Sequence, residues 1–151
     1  MTEVDRPADM DALVGQTLGT SDWLEVTQGM IDMFADATGD HQWIHVDRER
    51  AAREMPGGRT IAHGYLTLSL LPRLAQGIYR VRNRSRAINY GSNKVRFTHP
   101  VGAGSRVRLH LTLKASEVIE GGRRLFTDNS VEIEGETRPA LVAETISLVF
   151  D

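Results

Sequence analysis

Residues 61 to 79 read I-A-H-G-Y-L-T-L-S-L-L-P-R-L-A-Q-G-I-Y. Tyr65, Leu66, Leu68, Leu70, Leu71, Leu74, Ala75 and Ile78 wrap most of a helix built on this stretch, and a helix apolar nearly all round is one that other elements enclose. Pro72 lacks an N–H and its ring clashes with the carbonyl four residues back, so the stretch predicts a helix with a bend.

The chain after residue 87 supplies the enclosing wall, because its apolar period changes to two. Val107, Leu109, Leu111 and Leu113 alternate with Arg106, Arg108, His110, Thr112 and Lys114, giving one dry face and one wet face. Glu120-Gly121-Gly122 is a hairpin turn into a second strand over Arg123 to Glu134. A third strand runs from about Pro139 to Phe150, and Ala87 to Pro100 adds another. One buried helix followed by long antiparallel strands predicts an α+β domain in which a curved sheet wraps the helix. The open edges of such a sheet favour pairing with a second copy, so a homodimer is expected.

Upstream, Trp23, Leu24 and Val26 predict a short strand. Thr27 is placed to cap a helix carrying Met30, Ile31, Phe34, Ala35 and Thr38, and Gly39 to end it. Asp47 is placed to cap the charged helix D-R-E-R-A-A-R-E, which stops before Pro56-Gly57-Gly58. Residues 1 to 12 read as a mobile lead-in to a single domain spanning 1–151.

Composition narrows the function classes. The 151 residues contain no cysteine, which removes disulfides, thiolate nucleophiles and Cys-ligated metals and fits a reducing cytoplasm. With 18 basic and 20 acidic side chains the net charge is −2, so no global field draws the chain to nucleic acid or an anionic membrane. The acidic start and the short apolar runs predict a soluble cytoplasmic protein without membrane insertion.

The chemistry concentrates in F-A-D-A-T-G-D-H-Q-W-I-H-V-D-R-E-R-A-A, residues 34 to 52. A loop after the Thr27 helix can fold Asp40 and His45 toward one point, with the Gln42 amide between them, and that arrangement suits acid–base chemistry. Asp40 after Gly39 also fits a plain turn residue; the companion His45 favours catalysis. His41, His99 and His110 share no ligand spacing, and no metal site is expected.

Gly39-Asp40-His41-Gln42-Trp43-Ile44-His45, with Ala51 six residues on, resembles the hydratase signature of the MaoC-like, R-specific enoyl-CoA hydratases, Gly-Asp-x-Asn-Pro-(Ile/Leu)-His. Ile61-Ala62-His63-Gly64 is similar to that family's His-Gly element. Lys94-Val95-Arg96-Phe97 with Pro100-Val101-Gly102 resembles the strand and turn that follow. Gln42 in place of Asn and Trp43 in place of Pro depart from the pattern, so the loop must take its shape from packing of Trp43 rather than a fixed proline φ.

The resemblance implies the hotdog fold: a long helix wrapped by an antiparallel sheet of about five strands, joined to a partner's sheet. It implies reversible hydration of a trans-2-enoyl-CoA or enoyl-acyl-carrier-protein thioester to the (R)-3-hydroxyacyl thioester. No cofactor is implied beyond the coenzyme A of the substrate. Asp40 and His45 are then the catalytic pair, Gln42 positions water or substrate, and the Gly64 N–H stabilises the enolate oxygen. Tyr65 and Ser69 are candidates to line the acyl pocket, although Ser69 equally suits a bond back to the Tyr65 carbonyl. Arg80, Arg82, Arg84 and Arg86, with Lys94 and Arg96, are candidates for the coenzyme A phosphates, or form a solvated basic loop. His63 reads as a structural brace at the helix start. A hotdog thioesterase using Asp40, and a non-catalytic or heterodimeric dehydratase subunit, are the alternatives.

Overall fold

A computed structural model describes residues 1–151. The long strands fall where the period-two pattern puts them: β5 (Arg86–Phe97), β6 (Arg106–Ile119), β7 (Gly122–Ile133) and β8 (Leu141–Phe150). The shorter strands β2 (Thr17–Thr20) and β3 (Leu24–Glu25) both pair with β6, so the antiparallel sheet runs β2-β6-β7-β8-β5 with β3 following β2 along the same edge of β6. Val107, Leu109, Leu111 and Leu113 all point into the core, opposite Ile133, Val131, Asn129 and Thr127 of β7, and Leu141 of β8 stands opposite Val131. This is the α+β hotdog architecture that the resemblance implied.

The local signals upstream act as their chemistry requires. Helix α1 (Gln28–Thr38) starts where Thr27 accepts a hydrogen bond from the Met30 N–H and ends at Gly39, which takes φ of 77°. Helix α3 (Arg48–Glu54) starts where Asp47 accepts from the Arg50 N–H.

Four expectations need correction. The enclosed helix is shorter than residues 61 to 79 and is divided into α4 (Gly64–Ser69) and α5 (Leu71–Ala75), hinged at Leu70. Ile61 and Ala62 are instead extended, bonded to Ile44 and Val101, and Pro72 cannot donate to the Leu68 carbonyl, which breaks the first hydrogen-bond ladder. The helix is also not apolar-buried all round: Leu66, Leu70, Leu71 and Leu74 are buried, while Tyr65, Ser69, Pro72, Arg73 and Gln76 form an exposed face.

Residues 1–12 are held in place rather than mobile. Strand β1 (Thr2–Val4) pairs in parallel with β4 (Tyr79–Val81), and the 3-10 segment Pro7–Leu13 buries Met10 completely. Asp11 in that segment bonds Arg123 and Ser116. The basic stretch 80 to 86 is correspondingly not one loop, since its ends lie in β4 and β5. No helix is long and apolar enough to cross a membrane.

Candidate active site

Gly39 ends α1 and sends the chain back across the start of α4. Asp40 follows in a tight turn in which its carboxylate accepts from the Gln42 N–H at 3.4 Å. His45 lies not in the loop, as expected, but on the one-turn helix α2 (Trp43–Val46), which closes with the His45 N–H on the Gln42 carbonyl at 3.0 Å. Trp43 supplies the packing that the missing proline would have replaced: it is half-buried, and the Arg50 guanidinium lies 4.0 Å above its ring.

His45 is buried, and its Nδ1 lies 2.7 Å from the Ile61 carbonyl. A carbonyl only accepts, so Nδ1 carries a hydrogen in either protonation state and Nε2 is the atom free to take and return a proton. The Ile61 N–H also donates to the Ile44 carbonyl at 3.0 Å, which fixes α2 against the strand-like segment before α4. From the other side, the Gln28 amide donates to the His45 carbonyl at 2.7 Å and accepts from the Thr60 hydroxyl. This buried polar support was not visible in the sequence.

His63 joins the site as well. Its Nε2 lies 3.0 Å from the Asp40 backbone carbonyl, to which it must donate, and its buried Nδ1 has no partner. Side-chain ligand atoms of Asp40, His45 and His63 all lie within 4.8 Å of one another. Their donor types are those of a cation-binding set. The two imidazoles of this trio are stacked, with ring centroids 3.9 Å apart.

Gly64 opens α4, and its N–H donates to no group outside the helix, as first-turn N–H groups do. A Cβ at this position would lie 2.8 Å from the Phe97 ring, so the glycine admits Phe97 of β5 to the mouth of the site. A cavity of about 320 Å³ beside His45 is lined by Gly64, Thr67 and Phe97 among others. Tyr65 is exposed and meets Phe97 edge-on at 5.7 Å.

The remaining candidates are dispersed. The Gln42 side chain is exposed and has no protein hydrogen bond. The Ser69 hydroxyl donates to the Tyr65 carbonyl at 2.7 Å and also borders a second cavity, which Arg84 flanks. Arg82 is engaged by Glu3 and Asp5, Arg86 lies over the Phe150 ring, and Arg96 bonds the Val95 carbonyl. Arg80 and Lys94 are exposed.

Residues 9–134 match the family described as the MaoC like domain. The chain belongs to the MaoC-like dehydratase family. Over 140 residues, 92% of each chain, it is 54% identical to 3-hydroxyacyl-thioester dehydratase Z of Mycobacterium tuberculosis. It is 49% identical to nodulation protein N of Rhizobium leguminosarum over 95% of this chain and 91% of that one. The R-hydratase PhaJ1 from Pseudomonas aeruginosa, in the unliganded form, superposes with a TM-score of 0.73 at 21% identity, covering 91% of this chain and 82% of that one. That likeness is one of fold. Membership makes the protein a hydratase or dehydratase, and the Asp40–His45 convergence gives this MaoC-like enzyme groups suited to moving protons.

Proposed function

We propose that the enzyme hydrates a trans-2-enoyl thioester of coenzyme A or acyl carrier protein to the (R)-3-hydroxyacyl thioester, and catalyses the reverse dehydration. The observation that carries this reading is His45 with Nδ1 committed to the Ile61 carbonyl, which leaves Nε2 for proton transfer, and with a ring nitrogen within 4.8 Å of the Asp40 carboxylate. The 54% identical relative's name supports the thioester substrate, and the R configuration comes from the family resemblance.

Water held by Asp40 and His45 gives a proton to that pair as its oxygen bonds to C3. The C2–C3 π electrons move toward the thioester oxygen, and the Gly64 N–H meets the charge developing there. The enolate then takes a proton at C2 from the pair, which returns the enzyme to its starting state. These steps use protein groups and water, with coenzyme A brought in as part of the substrate. Gln42 is assigned to orient the water or substrate. Arg80, Arg84, Lys94 and Arg96 are the side chains left to meet the phosphates of coenzyme A. The lack of cysteine fits action in a reducing cytoplasm.

We also infer a homodimer. Strand β5 pairs only with β8, and its other edge is open along twelve residues that are nearly all exposed.

Incubation with crotonyl-CoA, following the enoyl chromophore and free thiol together, tests the reaction. Loss of the chromophore without thiol release is expected. Thiol release with the chromophore retained would replace the hydratase by a thioesterase.

A further inference from the structure

The second cavity, about 590 Å³, lies between the central helix and the sheet and is of a size usual for ligand pockets. Its helix side is mainly apolar, with Leu68, Leu71, Pro72 and Ala75 beside Ser69 and Gln76. Leu68 stands one helical turn after Gly64 on the same face. The cavity therefore begins one helical turn from the Gly64 N–H that meets the thioester oxygen in the reading above.

The sheet side is the wrong material for a hydrocarbon. Inward positions of β7 run Leu125, Thr127, Asn129, Val131 and Ile133, so two polar residues interrupt an apolar row in the core. On β8, Thr145 opposite Thr127 and Ser147 opposite Leu125 also line the cavity.

Asn129 is 5% exposed, and its amide nitrogen lies within 3.0–3.3 Å of the Thr127 and Ala143 carbonyls and of the Thr145 hydroxyl. Two of these acceptors are carbonyls, which fixes the amide orientation: nitrogen toward the sheet, oxygen toward the cavity. No protein donor reaches that oxygen, and it is not among the fully occluded unpaired atoms, so it faces the open space. Thr127 and Thr145 hydroxyls are 2.9 Å apart. One donates to the other, which leaves one hydroxyl hydrogen uncommitted.

We propose that this cavity is built for an acyl chain bearing a hydroxyl group, which donates to Asn129 Oδ1 and accepts from the Thr127–Thr145 pair. The inference rests on the hydratase reading above and goes further, to the class of acyl chain. A plain alkyl chain in the same place would displace water from a buried carbonyl oxygen and leave it unpaired, and unmade buried hydrogen bonds are where selectivity for a hydroxyl arises.

The test compares six-, eight- and ten-carbon trans-2-enoyl-CoA thioesters with their terminally hydroxylated counterparts, with crotonyl-CoA as the common reference. At the length that reaches Asn129, kcat/KM for the hydroxylated chain is expected to exceed that of the plain chain by about tenfold or more. Asn129→Leu abolishes that preference while leaving crotonyl-CoA hydration near the wild-type rate. Thr145→Val, a change of similar shape, reduces the preference and serves where Asn129→Leu does not fold. Plain chains that equal or exceed the hydroxylated ones at every length overturn the proposal and make the network a structural tie between β7 and β8. Failure to hydrate even crotonyl-CoA instead overturns the hydratase reading, and the chain preference with it.

Discussion

The imidazole of His63 is stacked on that of His45, with ring centroids 3.9 Å apart and planes 26° from parallel. The same ring meets Phe34 at 4.8 Å and donates to the Asp40 carbonyl, so one side chain touches α1, the Asp40 turn and α2. His63 is thereby placed to position both members of the proposed acid–base pair. His63→Ala is expected to lower kcat on crotonyl-CoA about ten- to a hundredfold with little change in KM, because small displacements of catalytic groups are costly. His63→Gln, which can still donate to Asp40, recovers part of the rate. A variant that loses thermal stability but keeps its kcat would reduce His63 to a brace.

Asp40→Asn and His45→Ala remove the pair itself. Each is expected to lower kcat/KM by roughly 100- to 10,000-fold, measured on protein shown by circular dichroism to be folded. Near-normal hydration by either variant would end the assignment. Gln42→Ala is the graded companion: a lost hydrogen bond to water or substrate lowers kcat/KM by about tenfold, and an unchanged rate leaves Gln42 as a surface residue of the turn.

Gly64→Ala tests a steric relationship apart from the chemistry. The added methyl would lie 2.8 Å from the Phe97 ring, so the ring must move, at a cost of about 1–3 kcal/mol by analogy with overpacking. Gly64→Ala with Phe97→Ala relieves the clash and is expected to regain thermal stability relative to Gly64→Ala alone. If the single variant is as stable as wild type, Phe97 is not held against the helix.

What the sequence disclosed and what it hid divide along range. Thr27, Gly39 and Asp47 act on neighbours within a few residues, and the alternation from Val107 to Leu113 follows from strand geometry alone, so each was legible. The Asp40–His45 pairing was legible because six adjacent residues carry it. His63 reads as a brace because a His-Gly element needs its glycine for chemistry more than its imidazole, and the partners that say otherwise lie on separate elements, with Asp40 twenty-three residues earlier. Asn129 looks like an ordinary polar residue of a strand until the sheet turns it inward. The lead-in looked mobile because Met10 is buried by elements from far along the chain.

Asp11 gives that N-terminal segment a pH dependence. Its carboxyl is held below the ordinary aspartate range, first by the hydrogen bond from Arg123 and then by that from Ser116. A lowered folded pKa means that the contribution to stability is complete above the unfolded value of about 3.9 and is lost as pH falls through the folded value. Urea unfolding along an acid series is expected to show the midpoint falling over that window. Asp11→Asn should start lower at neutral pH and fall less. Equal slopes for the two proteins would show that Asp11 does not contribute. Met10→Ala probes the apolar half of the same anchor, and its complete burial predicts a loss of about 2–5 kcal/mol.

The open edge of β5 makes the last expectation one of assembly. Ile88, Tyr90 and Phe97 are 45%, 58% and 45% exposed, large apolar groups on a strand with one free row of backbone donors and acceptors. Pairing with a second β5 would satisfy that row and cover those side chains, and it would do so next to Phe97, which borders the active-site cavity. Native mass spectrometry is expected to give twice the 16.8 kDa chain mass. Ile88→Lys combined with Tyr90→Lys, which places charge on the edge, should shift the protein to monomer and raise the KM for crotonyl-CoA as the support behind Phe97 is lost. A wild-type protein that stays monomeric at the concentrations used for assay, with full activity, would show that the edge is left open and that the site is complete within one chain.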